Sequence, residues 1–249
     1  MKVVAIIQAR MGSTRLPGKV MMQLQNQSVL KHVINRVSKV NLINQVVIAT
    51  TKNEIDDVIV DEAYKAGATV YRGSEDDVLS RYYEAALKWS ADIVIRITSD
   101  CPLIDHVVLS EILEFYLDNN YDYVSNTLSR TYPRGLDIEV FSFPCLEKVY
   151  KSAQHPEYRE HVTPYIYCNT EKFKIYDFQS SENFSQYRWT LDTIEDWTLI
   201  EIIYNTLYKD KRIFEWREVV RLMEENPHFL DINAHVEQKK LNTMNGLKE

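Results

Sequence analysis

Apolar and polar positions along the first hundred residues follow a rhythm that predicts strands and helices in alternation. Val3 to Ile7 is an unbroken apolar run of the kind that forms a strand buried on both faces. Between Ser28 and Lys39, the residues Val29, Leu30, Val33, Ile34 and Val37 recur at helical spacing with polar residues between them, which predicts a crossover helix. By the same reasoning residues 46–50 form a second strand, 54–66 a helix, 69–71 a third strand, 76–89 a helix and 92–98 a fourth strand. Such a βαβ succession implies an α/β fold: a mostly parallel, Rossmann-like open sheet covered by helices on both faces. Ligands of such sheets bind beyond the carboxyl ends of the strands.

Beyond a helix at 107–117 the rhythm is lost. Residues 121–126 and 136–142 read as strands, but 127–180 is rich in Tyr, Pro and polar residues and predicts an inserted smaller lobe within one domain spanning 1–249. The stretch 187–191 is expected to return to the sheet, with helices following at about 194–207 and 215–225. The polar tail from Leu241 is expected to fray.

The loop after the first strand is the chemically dense part of the chain. It runs Gln8-Ala9-Arg10-Met11-Gly12-Ser13-Thr14-Arg15-Leu16-Pro17-Gly18-Lys19, joining glycines that admit close backbone approach to two hydroxyls and three cations. These are the groups a polyphosphate needs, although the spacing is neither the Walker pattern nor the dinucleotide fingerprint. Charge distribution favours a ligand there. The first 53 residues hold eight Lys or Arg and no acid, whereas the whole chain carries −7. An acidic protein with one locally basic segment suits a small anion such as a nucleotide better than a nucleic acid. No apolar run approaches the roughly 20 residues of a membrane span, and the start lacks a signal-peptide core, so a cytoplasmic protein is expected. Three widely spaced cysteines, Cys101, Cys145 and Cys168, indicate neither a disulfide framework nor a Cys zinc site.

The run Q-A-R-M-G-S-T-R-L-P-G-K resembles the N-terminal signature of the CMP-sugar synthetases, and most of all the spore-coat polysaccharide branch. That family usually has Pro where this chain has Gln8. The resemblance continues through Ser99-Asp100-Cys101-Pro102-Leu103-Ile104, Arg134-Gly135-Leu136-Asp137-Ile138-Glu139, Leu191-Asp192-Thr193-Ile194-Glu195-Asp196 and the segment from Ile232 to Lys239, nearly the whole chain. It implies a nucleotidyltransferase, glycosyltransferase-A-like fold and transfer of CMP from CTP to a sugar, an acidic one by analogy, with release of pyrophosphate. It also implies a homodimer formed largely by the lobe, and Mg²⁺ as cofactor.

Residue by residue, the resemblance implies nucleotide contacts from Gln8, Ala9, Arg10, Gly12, Ser13, Arg15, Lys19, Arg72 and Ser74, with Arg10, Lys19 and Asp100 as the catalytic set. The cations would neutralise the departing phosphates. At an effective dielectric near 20, one cation about 4 Å from a phosphate charge contributes roughly 4 kcal/mol before desolvation. Asp100 and Asp192 are expected to hold the metal, which takes one or two carboxylates with phosphate oxygens and water. Each has a bland alternative. Asp100 could initiate the Cys-Pro turn. Asp192 could be a helix N-cap with Glu195 as the capping acid, and Arg72-Gly73-Ser74 could be a helix-initiating turn rather than a base or ribose contact.

For the acceptor the candidates are Asn126, Arg134, Asp137, Glu139, Arg159 and His161, which could equally form a solvated face or dimer salt bridges. The spacing of His155 and His161 is not the H-E-x-x-H zinc pattern. Two other functions fit less well: a sugar-1-phosphate nucleotidylyltransferase, in which glycines would stand where Gln8-Ala9-Arg10 does, and a non-catalytic nucleotide-binding scaffold.

Overall fold

The computed structural model describes residues 1–238. In chain order the strands are β1 (Val3–Gln8), β2 (Gln23–Leu24), β3 (Gln27–Ser28), β4 (Gln45–Thr51), β5 (Thr69–Gly73), β6 (Ile93–Thr98), β7 (Tyr123–Ser125), β8 (Glu139–Ser142) and β9 (Ile175–Asp177). The helices are α1 (Val29–Val37), α2 (Asp57–Lys65), α3 (Val78–Lys88), α4 (His106–Asp118), α5 (Phe143–Ser152), α6 (Pro156–His161), α7 (Pro164–Tyr167), α8 (Ile194–Leu207) and α9 (Trp216–Glu225).

Seven strands form one sheet in the order β5-β4-β1-β6-β8-β7-β9. The first four are mutually parallel, β8 runs antiparallel to β6 and to β7, and β9 is parallel to β7. The expected mostly parallel open sheet is therefore present, with a mixed extension on one side. Alternate residues of the central strands feed two cores. Val3, Ala5 and Ile7 pack with α1, α4, α8 and α9 on one face, while Val4 and Ile6 pack with α3, α5 and α7 on the other. Being apolar on both faces is what made β1 readable as a continuous hydrophobic run.

The region 127–180 is less separate than its composition suggests. It contributes β8 and β9 to the main sheet and lays α5, α6 and α7 against one face of it. The prolines there start helices: Pro144, Pro156 and Pro164 each lie in a first turn, behind Ser142, His155 and Thr163. Proline has no N–H to leave unpaired at that position, so the residue that punctuates loops also opens helices. β8 begins later than the expected 136. Gly135 sits at φ +107°, and the Asn126 side chain takes the backbone of Leu136 (2.7 Å) and Ile138 (2.9 Å) out of the ladder. The stretch 187–191 makes a single bridge, Arg134 with Arg188, rather than a full strand. The β2–β3 hairpin was not expected. Its turn places both Gln25 (φ 48°) and Asn26 (φ 62°) in the left-handed region, a conformation Asn tolerates well and Gln less so. The polar tail from Leu241 lies outside the described residues.

Candidate active site

After Gln8 the chain leaves the sheet and is gathered by Met11. The Met11 N–H donates to Asp56 Oδ1 at 2.7 Å, and its carbonyl accepts from Ser13 (2.8 Å) and Gly18 (3.1 Å), which closes the basic loop on itself. Asp56 is buried and also takes the Thr51 hydroxyl, so it ties the loop to the end of β4. Gly18, at φ 67°, reverses the chain into a short 3₁₀ turn, Lys19–Met21, and turns Lys19 inward to 9% exposure.

Lys19 then meets both aspartates. Its ammonium donates to Asp100 Oδ2 at 2.8 Å, to Asp192 Oδ1 at 2.8 Å and to the Leu191 carbonyl at 2.7 Å. Asp100 stands just past the carboxyl end of β6, where Thr98 donates to its other oxygen at 2.6 Å. Asp192 arrives from 92 residues later because the Leu191 N–H bonds the Asp100 carbonyl at 2.8 Å. Arg15 (2.9 Å) and Arg188 (3.0 Å) both contact Asp192 Oδ2, and Arg188 also grips Asp196.

The reading of Asp192 as a helix cap is corrected by the neighbouring residues. Thr193 caps α8: its hydroxyl accepts from the Asp196 N–H and the Asp196 carboxylate accepts from the Thr193 N–H. The capping box is shifted by one position, with Asp196 rather than Glu195 as its acid, and the Asp192 carboxylate is free of that duty.

Burial alone would pull the Lys19 ammonium down, but Asp100 and Asp192 outweigh it and hold the pKa above its ordinary value. Burial would likewise raise Asp100, yet Lys19 and then Thr98 keep it below the usual carboxylate range. Lys19 and Asp100 thus each hold the other in its charged form. Cys101, beside it, is pushed well up by burial and by Asp100, which keeps it a thiol.

A second set of residues lies near this cluster on the loop before β8. Arg130 forks onto Asp137 (2.6 and 3.0 Å), while the half-buried Arg134 guanidinium makes no ion pair among the described residues; burial, then the neighbouring Arg130, lowers its pKa. Gly135 packs directly on the Trp189 carbonyl, which leaves no room for a side chain and holds this loop against the segment that delivers Asp192.

The other candidates lie apart from the cluster. Arg10 reaches toward Glu75 at 3.5 Å, on the β5 side of the crevice. Arg72 is fastened to the Thr51 and Asn53 carbonyls (2.8 Å each) and to Asp57, and Ser74 accepts from the Asp77 N–H in the turn before α3. Asn126 is occupied by backbone. Arg159 binds Asp77 through two nitrogens (2.8 and 2.6 Å) and joins α6 to α3. Glu139 is buried in the sheet, where it accepts from Arg96, from the Tyr123 hydroxyl (2.6 Å) and from Thr163 (2.6 Å). His161, on the same side, has its pKa lowered by burial. Gln8 Oε1 and Arg96 Nε, on neighbouring strands, are buried without a hydrogen-bond partner among the described residues. Sequence reasoning missed Asp56, Arg96 and Arg188, whose contacts come from residues 45, 43 and 8 positions away or reach across strands. Only the Asp192-to-Asp196 motif hinted at the last.

The family model for cytidylyltransferases matches residues 4–240. The spore coat polysaccharide biosynthesis protein SpsF of Bacillus subtilis is 33% identical over 229 residues, covering 89% of this chain and 94% of that protein. A 3-deoxy-manno-octulosonate cytidylyltransferase of Trichlorobacter lovleyi is 34% identical over 121 residues, 48% of this chain and 46% of that one. Among solved structures, a cytidylyltransferase from Leptospira borgpetersenii superimposes with a TM-score of 0.89 at 36% identity, covering 97% of this chain and 99% of that one. A family model that spans nearly the whole chain and a full-length match of fold lead to one conclusion: this protein belongs to the cytidylyltransferase family and is a nucleotidyltransferase.

Proposed function

We propose that the enzyme transfers CMP from CTP to a hydroxyl of a sugar acid in the cytoplasm, for a surface polysaccharide or related glycan. The sugar oxygen forms a bond to the α-phosphorus as the bond to the bridging oxygen breaks. Pyrophosphate leaves with that electron pair, and the hydroxyl proton is released to solvent. The observation that carries this reading is the convergence of Lys19, Arg15, Asp100 and Asp192 at the carboxyl ends of β1 and β6. Cations for a leaving pyrophosphate and carboxylates for a metal are the two things the reaction needs in one place.

The donor set fits Mg²⁺. The nearer oxygens of Asp100 and Asp192 both lie 2.8 Å from one cationic nitrogen, so a single cation can touch both. Two carboxylates without His or Cys suit a hard ion that completes its shell with phosphate oxygens and water. When bound, Mg²⁺ would neutralise charge on the phosphates. Arg15 and Lys19 would grip the β- and γ-phosphates, and Arg10, across the crevice, would close the nucleotide side together with the Gly12–Ser13 backbone.

An acidic acceptor is favoured by Arg134, a cation near the cluster that makes no ion pair among the described residues. No described helix is long and apolar enough to cross a membrane, in keeping with chemistry in the compartment that supplies CTP. A homodimer is supported by the open outer edge of β9, where Tyr176 stands 37% exposed. The test is pyrophosphate release with each nucleoside triphosphate, Mg²⁺ and a panel of sugar acids and neutral sugars. CTP-dependent release with an acid is expected; release with UTP or ATP and a sugar 1-phosphate would replace this reading.

A further inference from the structure

An ammonium group has three hydrogens to donate, and Lys19 places all three on protein: Asp100, Asp192 and the Leu191 carbonyl. Held this way it has nothing to offer a phosphate. It also sits where a cation bridging the two aspartates would sit. The remaining carboxylate oxygens are taken as well, Asp100 Oδ1 by Thr98 and Asp192 Oδ2 by Arg15 and Arg188. Two negative charges are therefore matched by Lys19 and Arg15, while Arg188 is shared with Asp196. A divalent cation arriving alone would have to evict a buried ammonium and leave it without a counter-ion, which is costly. A triphosphate changes this balance. Its charges give Lys19 and Arg15 new partners at the moment the carboxylates acquire theirs, so no charge is left unpaired at any stage.

We propose that Lys19 is a built-in counter-ion that closes the Asp100–Asp192 pair to free divalent cations and moves onto the triphosphate when nucleotide enters, so that metal is admitted only together with nucleotide. This rests on the reading of the two aspartates as metal ligands. The four-carbon stem of lysine suits the role, since one flexible point charge can exchange carboxylate oxygens for phosphate oxygens with little movement of the main chain. Arg15, 30% exposed at the rim, would be the first cation a nucleotide meets.

The experiment titrates Mn²⁺, standing in for Mg²⁺, into the protein and follows the electron paramagnetic resonance signal of the free ion. Wild type without nucleotide is expected to bind at least tenfold more weakly than wild type saturated with CTP in the absence of any acceptor. Lys19→Met without nucleotide is expected to gain at least tenfold in Mn²⁺ affinity over wild type, and Mn²⁺ should raise its melting temperature more than it raises that of wild type. Equal Mn²⁺ affinity of wild type with and without CTP would overturn the proposal without any variant, as would a Lys19→Met protein that is folded and binds no more tightly. Asp100→Asn with CTP separates the two levels. Unaltered Mn²⁺ binding there would remove the aspartates as ligands, whereas a loss with no effect of Lys19→Met would retain the ligands and reject the counter-ion role.

Discussion

Leu191 and Asp100 are joined by a backbone hydrogen bond of 2.8 Å, which helps set the two carboxylates of the site side by side. Asp100 follows a strand of the parallel half of the sheet. Asp192 follows a segment that makes only a single bridge elsewhere, so its position depends on this contact, on the Lys19 ammonium and on the Gly135 backbone packed beneath Trp189.

Separation of capping from chemistry at the start of α8 can be read with two substitutions. Thr193→Ala removes the cap and should cost about 1 kcal/mol in urea unfolding while leaving most pyrophosphate release intact. Asp192→Asn leaves the cap in place and should lower release at least a hundredfold with an unchanged far-ultraviolet spectrum. Similar activity losses in both variants would contradict the assignment.

The Glu139 carboxylate answers Arg96 inside the sheet. Glu139→Gln strands that guanidinium, and about 3–5 kcal/mol of stability should be lost by chemical denaturation. Arg96→Met combined with Glu139→Leu removes both charges and should recover at least half of that loss. A double variant as unstable as the single one would mean that the hydroxyls of Tyr123 and Thr163, not the ion pair, dominate.

Gly135 is held at φ +107° with the Trp189 carbonyl 2.7 Å from where a Cβ would stand. Gly135→Ala combines left-handed strain with a backbone clash and should destabilise by more than about 3 kcal/mol, near the exceptional end for one residue. A melting temperature within a few degrees of wild type would show that the loop can yield.

His32, buried between Tyr204 and Tyr208 with Nε2 on the Leu24 carbonyl, has its pKa lowered to about 4, chiefly by burial. The folded state prefers the neutral ring. Its contribution is therefore complete above the unfolded value near 6.5 and is lost as pH falls from there to about 4, where the folded protein also takes the proton. Over that window the loss should be on the order of 3 kcal/mol. His32→Gln should show a correspondingly shallower decline of unfolding free energy with acid; parallel curves for the two proteins would reject the assignment.

Much of this molecule was legible in one dimension. The strands of the parallel half and their crossover helices could be read because a strand buried on both faces must be apolar throughout and a covering helix must be apolar on one side. Lys19, Arg15 and Asp100 were legible for a related reason, since loops at carboxyl strand ends face the crevice whatever the details of the turn. The mixed half of the sheet was harder. Pro144, Pro156 and Pro164 are the same residue whether they break a helix or begin one, and only the packing of the segments they open decides. The partners of Glu139, the cap at Thr193 and the Leu191 contact that brings Asp192 beside Asp100 were settled by tertiary structure alone. Sequence specifies which groups can pair, but among several donors and acceptors of equal chemistry the pairing goes to whichever the fold brings within 3 Å.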